Sequence, residues 1–78
     1  MSSDLVLKWG IISTGKIAQD FCTALLSLKS PKHKLSACAA RSIEDAKKFS
    51  SRFDVSNAYG SYDELFADKD VNIVYIGK

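Results

Sequence analysis

An α/β fold built on a parallel sheet is what this sequence predicts, and three observations carry the prediction. Short apolar runs alternate with segments of helical periodicity in the order β-α-β-α-β-α-β, the arrangement that produces right-handed crossovers rather than a bundle or a sandwich. The runs are apolar at consecutive positions instead of alternating in and out, as in strands covered on both faces, so helices are expected on both sides of the sheet. No internal repeat and no low-complexity tract interrupts the alternation.

Residues 5–13, LVLKWGIIS, are rich in β-branched and aromatic side chains and too brief for a helix, so they are read as the first strand, ending in a turn cluster. After Gly15, the positions Ile17, Phe21, Ala24, Leu25 and Leu28 fall on one helical face, and Ser30-Pro31 stops that helix. Residues 35–40, LSACAA, form a compact second strand whose small side chains suit close helix packing. Ser42 followed by Asp45 opens a second helix with Ile43, Ala46, Phe49 and Phe53 on its apolar face, ending near Asp54. Residues 55–59 are a short third strand, and Ser61 to Glu64 is a capping box that opens a brief helix through Leu65 and Phe66. Residues 71–76, VNIVYI, are the fourth strand.

The chain has 78 residues, below the roughly 100–150 of a typical domain. Residues 1–78 are therefore expected to be one small domain or an incomplete part of a larger one. A net charge of +2 gives no field that would select nucleic acid or an anionic membrane. Cys22 and Cys38 sit within apolar stretches without C-x-x-C spacing, and the start lacks a basic region before an apolar core. A reduced, cytoplasmic protein with buried thiols is the expectation.

The turn between the first strand and the first helix reads Gly10-Ile-Ile-Ser13-Thr14-Gly15-Lys16-Ile17-Ala18. Ser13, Gly15 and Ala18 occupy the three positions of the dinucleotide fingerprint G-x-G-x-x-G/A, which makes the expected fold Rossmann-like. Gly15 would let backbone approach a pyrophosphate, Ala18 would allow tight helix–strand packing, and the free N–H groups of the helix would face the anion. Ser13 departs from the first glycine but contributes a hydroxyl. A tight turn that binds nothing is the alternative reading of the same residues. Their placement after a strand, before a helix and inside a βαβ unit favours phosphate.

At the end of the second strand, where an NAD-preferring domain carries an acid for the ribose 2′-hydroxyl, the chain reads Ala39-Ala40-Arg41-Ser42. Arg41 suits a 2′-phosphate through bidentate hydrogen bonds, and Ser42 adds a donor, so NADP is expected over NAD. A solvated arginine before a capping serine is the alternative.

The string WGIISTGKIAQDF, followed by AARS, AYGSYDEL and VYIG in order, resembles the N-terminal domain of the glucose–fructose oxidoreductase/inositol dehydrogenase family. The resemblance implies an NADP-linked oxidoreductase acting on small diols or sugars, as a homodimer when full length. It implies that Ser13, Thr14, Gly15, Lys16 and Ile17 form the pyrophosphate turn, that Arg41 and Ser42 surround the 2′-phosphate, and that Gly77 lies near the nicotinamide side. The family's Glu-Lys-Pro motif and its substrate domain do not occur in this sequence. No catalytic residue is assigned, Lys78 included, and the chain alone is not expected to turn over. A truncated nucleotide-binding or interaction module is the competing reading.

Other chemistry finds little support. The sole histidine, His33, stands between two lysines without a ligand partner at metal spacing and is read as a solvated loop residue. With one histidine and no elbow turn there is no hydrolase triad. Tyr59 and Tyr62 flank Gly60, where either could touch a ligand from a loop, but they are expected to pack under the third helix, and Asp63-Glu64 to serve the cap.

Overall fold

The computed structural model describes residues 6–13, 15–29 and 32–77. Four strands and three helices follow in the order β1 Leu7–Ile12, α1 Lys16–Ser27, β2 His33–Ala39, α2 Ile43–Phe53, β3 Asn57–Tyr59, α3 Tyr62–Phe66 and β4 Ile73–Ile76. The strands form one sheet in the order β3-β2-β1-β4, with every pairing parallel. The chain winds outward from β1 to β3 and then crosses back to β4, so the winding direction reverses at β1, the place where such sheets receive ligands.

Both faces are covered, as expected. Ile11, Leu35, Cys38 and Ala40 pack with α1 and α2 residues Ala18, Cys22, Leu25, Ala46, Phe49 and Phe53 on one side. Ile12, Ala37 and Ala39 pack with Leu65 of α3 on the other. The small side chains of β2 let a short α3 reach the sheet with one buried leucine.

Several expectations are corrected. The buried face of α1 is Ala18, Cys22 and Leu25, whereas Ile17 is 50% and Leu28 61% exposed and Ala24 is also exposed. At position 18 a larger side chain loses because the first turn of α1 lies directly against Gly77. A Cβ on Gly77 would lie 2.9 Å from the Cβ of Ala18, and only a small residue fits that approach. Ile43 is exposed at the start of α2, above Gly60. The expected stop at Ser30-Pro31 lies outside the described residues, and α1 ends earlier, at Ser27.

His33 is not a loop residue. It begins β2, half-buried, and its Nδ1 accepts a hydrogen bond from Trp9 Nε1 at 3.2 Å. Trp9 in turn meets Phe21 edge-on at 5.0 Å, and Phe21 stacks on Tyr75 at 3.9 Å. The sheet also contains a feature that no sequence pattern announces: Trp9 pairs with Leu35 but Gly10 pairs with Ala37. Ser36 is thus an extra residue, a β-bulge, and it reverses the parity of β2 so that Leu35 and Ala37 face opposite cores.

Candidate dinucleotide-binding rim

All four strands run the same way, so the residues that follow each of them share one rim of the sheet. In spatial order these are Gly60-Ser61 after β3, Ala40-Arg41-Ser42 after β2, Ser13 and Gly15 after β1, and Gly77 after β4. Backbone hydrogen bonds stitch the rim together: Ala40 N donates to Tyr59 O (3.1 Å), Ser13 N to Ala39 O (3.0 Å) and Gly77 N to Ile12 O (3.1 Å).

The turn after β1 is tight. Ser13 has φ 90°, a left-handed conformation that costs a non-glycine residue of order 1–3 kcal/mol. Part of that cost is offset locally, because Ser13 Oγ accepts a hydrogen bond from Gly15 N at 3.2 Å. The hydroxyl hydrogen is left over as a donor. Thr14 lies outside the described residues.

Gly15 is the N-cap of α1 with φ −75°, so its backbone conformation is open to any residue. Packing does not demand glycine either, since the nearest atom to an added Cβ would be Ser13 Oγ at 3.6 Å. Glycine leaves open space in front of the turn. Gly77 is the opposite case, for a Cβ there would lie 2.9 Å from the backbone nitrogen of Ala18. It is buried under the first turn of α1 and offers the rim its backbone only.

The first turn of α1 differs from those of its sister helices. α2 begins with Glu44 and Asp45, and α3 with Asp63 and Glu64, acids that compensate the positive end of a helix. α1 has no acidic residue in its first turn and no side-chain cap. The N–H groups of Lys16 and Ile17 have no acceptor among the described residues. The Lys16 ammonium pairs with Asp20 at 3.1 Å on the exposed side of the helix.

Arg41 is exposed and lines a cleft of about 260 Å³ with Ala40, Gly60, Ser61 and Tyr62. It makes no ion pair among the described residues. Ser42 holds the N-cap position of α2 in extended conformation (φ −118°, ψ 130°), yet its side chain makes no capping bond. Its hydroxyl stays uncommitted beside Arg41. Ser61, in contrast, caps α3 as its spacing predicts, accepting from Glu64 N at 3.3 Å.

The sequence reading did not place Gly60 and Ser61 on a wall of this cleft, and it assigned Tyr62 to packing over the ligand contact that its loop position also allowed. Their position directly after β3 is the signal that could have found them, because parallel strands bring such residues to the rim. Tyr59 points elsewhere: its hydroxyl donates to Asp68 Oδ2 at 2.7 Å. That bond to a carboxylate raises the Tyr59 pKa to about 12 and holds Asp68 below its ordinary value.

The rim fits an anionic dinucleotide on the evidence of its own residues: an open glycine turn, an uncompensated helix start with free N–H groups, and an unpaired arginine at the next strand end. Among the described residues no cluster of His, Cys, Asp and Glu could hold a metal, and no helix is long and apolar enough to cross a membrane.

Comparison with known proteins agrees. Residues 7–78 match the model of an oxidoreductase family with an NAD-binding Rossmann fold. Trans-1,2-dihydrobenzene-1,2-diol dehydrogenase of Mus musculus is 47% identical over 72 residues, covering 92% of this chain and 22% of the relative. The enzyme of the same name from Xenopus tropicalis is 45% identical over 73 residues, 94% of this chain and 22% of the relative. The chain thus spans about a fifth of the length of the curated relatives it matches. Among solved structures, an NAD binding oxidoreductase from Klebsiella pneumoniae superimposes with a TM-score of 0.81 at 25% identity, over 94% of this chain and 21% of that one. KijD10, a 3-ketoreductase from Actinomadura kijaniata solved with NADP, does so with a TM-score of 0.80 at 30% identity, over 90% of this chain and 22% of that one.

Proposed function

The chain belongs to the glucose–fructose oxidoreductase/inositol dehydrogenase (Gfo/Idh/MocA) family of NAD-binding oxidoreductases, and we propose that its own part in the family's chemistry is to hold NADP. The observation that carries this reading is the α1 start, where an open glycine turn coincides with a helix terminus lacking its own acid. Ser13, Thr14, Gly15, Lys16 and Ile17 take the pyrophosphate, with the Lys16 and Ile17 N–H groups and the Ser13 hydroxyl as donors. Arg41 and Ser42 take the 2′-phosphate, since neither has a competing partner and no carboxylate stands at that strand end to accept from a 2′-hydroxyl. Gly77 brings its backbone to the nicotinamide side of the rim.

NADP when bound supplies the hydride-accepting nicotinamide, and the rim fixes where that ring stands. For the whole protein we extend the proposal to hydride transfer between NADP and a small diol or sugar, on the strength of relatives named as dihydrodiol dehydrogenases. Cytoplasmic location and homodimerisation of the full-length protein belong to the same proposal.

Titrating the chain with NADP and with NAD under amide-resolved NMR tests the binding claim. Gly15, Lys16 and Ile17 shift with both ligands, and Arg41 and Ser42 with NADP alone. Arg41→Ala weakens NADP about ten- to a hundredfold, the equivalent of roughly 1.5–3 kcal/mol for charge-assisted bonds, and leaves NAD within about threefold. Equal losses for the two cofactors would remove Arg41 from the 2′-phosphate.

A further inference from the structure

At the opposite end of the sheet, where the strands begin, lies a second polar cleft of about 110 Å³ lined by Lys8, Lys34, Ser36, Ser56, Asn57 and Asp70. Two features of its lining stand out, a lysine pair without a counter-ion and a serine hydroxyl without a partner. Lys8 and Lys34 are direct partners across β1 and β2, and like charges side by side on neighbouring strands repel. Neither has a counter-ion, because Lys16–Asp20 is the one ion pair among the described residues. Asp70 stands on the cleft wall without reaching salt-bridge distance of either lysine.

Ser36 is the second feature. It is the extra residue of the β-bulge, it is 3% exposed, and it lines the cleft. Its hydroxyl has no hydrogen-bond partner among the described residues. Among the described residues no buried side-chain polar atom lacks a partner, so this hydroxyl is open to the cleft it lines, and bulges characteristically re-aim a side chain at a site.

We propose that this cleft binds inorganic phosphate as the hydrogen phosphate ion. Two ammonium groups supply charge and up to three donors each, and the Ser36 and Ser56 hydroxyls add directional bonds to a tetrahedral oxyanion. The volume corresponds to roughly three or four waters, room for one such ion. Asp70 selects among oxyanions: its carboxylate can only accept a hydrogen bond, which a P–OH group donates and which sulfate and a fully ionised phosphate ester do not. The site lies at the far edge of the sheet from the dinucleotide rim, so it does not depend on the proposed cofactor role.

Phosphate titration of the 78-residue chain at constant ionic strength, followed by amide NMR, tests this. Expected are saturable shifts at Lys8, Lys34, Ser36 and Asn57 with a dissociation constant of order 1 mM, and binding of sulfate and glycerol phosphate about tenfold weaker. Lys34→Gln, at an exposed position, weakens phosphate about tenfold, and Asp70→Asn narrows the gap between phosphate and sulfate, each in a variant whose amide dispersion shows it folded. Phosphate meeting the glycine turn moves Gly15 to Ile17 instead, and Lys34→Gln leaves that response unchanged. Shifts that grow linearly, that chloride reproduces, or that survive Lys34→Gln at the cleft residues overturn the proposal.

Discussion

Gly15 and Gly77 lie on the same rim for opposite reasons, and substitution separates them. Gly15→Ala meets only Ser13 Oγ at 3.6 Å and keeps an allowed φ of −75°. The gain in chain entropy and the loss of a better N-cap residue are both a few tenths to about 1 kcal/mol, so stability stays within about 1 kcal/mol. The new methyl fills the space proposed for the pyrophosphate, and NADP affinity falls at least about tenfold. Gly77→Ala instead drives a methyl to 2.9 Å from the Ala18 backbone nitrogen, which cannot rotate away, and destabilises by about 1–3 kcal/mol. Thermal unfolding beside an NADP titration checks both, and a Gly15→Ala variant that binds normally would contradict the assigned turn. Ser13, Gly15, Ala18 and Arg41 were legible because motif and strand end mark them. The commitment of the Ser13 hydroxyl to Gly15 N, and the reason for glycine at position 77, were not, because each is a through-space contact.

The elements themselves read well from sequence while their faces and ends did not. All seven were legible from period and punctuation, yet α1 offers two apolar stripes, one through Ile17, Ala24 and Leu28 and one through Ala18, Cys22 and Leu25. The second is the buried one, with its Ala18 seated against Gly77 after β4. The bulge at Ser36 was invisible because it is a relation between two strands. The same holds for the clamp joining β3 to the segment after α3, where Asp68 accepts from the Tyr59 hydroxyl at 2.7 Å and from Asp70 N at 2.8 Å. Its pH dependence has a definite sign. The Tyr59 pKa is raised from 10.0 to about 12, so that contribution is complete below pH 10 and is lost as pH rises toward 12. The Asp68 pKa is lowered from 3.8, so its contribution is present above that value and disappears on acidification below it. Urea midpoints across pH should therefore fall at both extremes, and in Asp68→Asn the fall at each extreme should be smaller. Identical profiles for the two proteins would show that the clamp contributes nothing.

On the scale of the whole molecule, the parallel sheet places cofactor chemistry at one end and the core directly behind it. Cys22 on α1 and Cys38 on β2 are both fully buried in the cluster that contains Ala18. Cys38 Sγ donates to Ala46 O at 3.4 Å, and burial pushes the two thiols up to about 12 and 11. Neither supplies a thiolate to solvent while the fold is closed, so alkylation requires opening of the same core that supports the glycine turn. A chain this small buries only about 60% of the surface its unfolded state exposes, so such openings are frequent enough to measure. A ligand that binds only the closed state suppresses them by the factor 1 + [L]/Kd. NADP at a hundred times its dissociation constant should therefore slow iodoacetamide labelling of both cysteines about a hundredfold. NAD at the same concentration, lacking the 2′-phosphate proposed to meet Arg41, should slow it far less. Unequal protection of Cys22 and Cys38 would mean that α1 opens separately from β2, and the glycine turn would then be a unit of lower stability than the sheet beneath it.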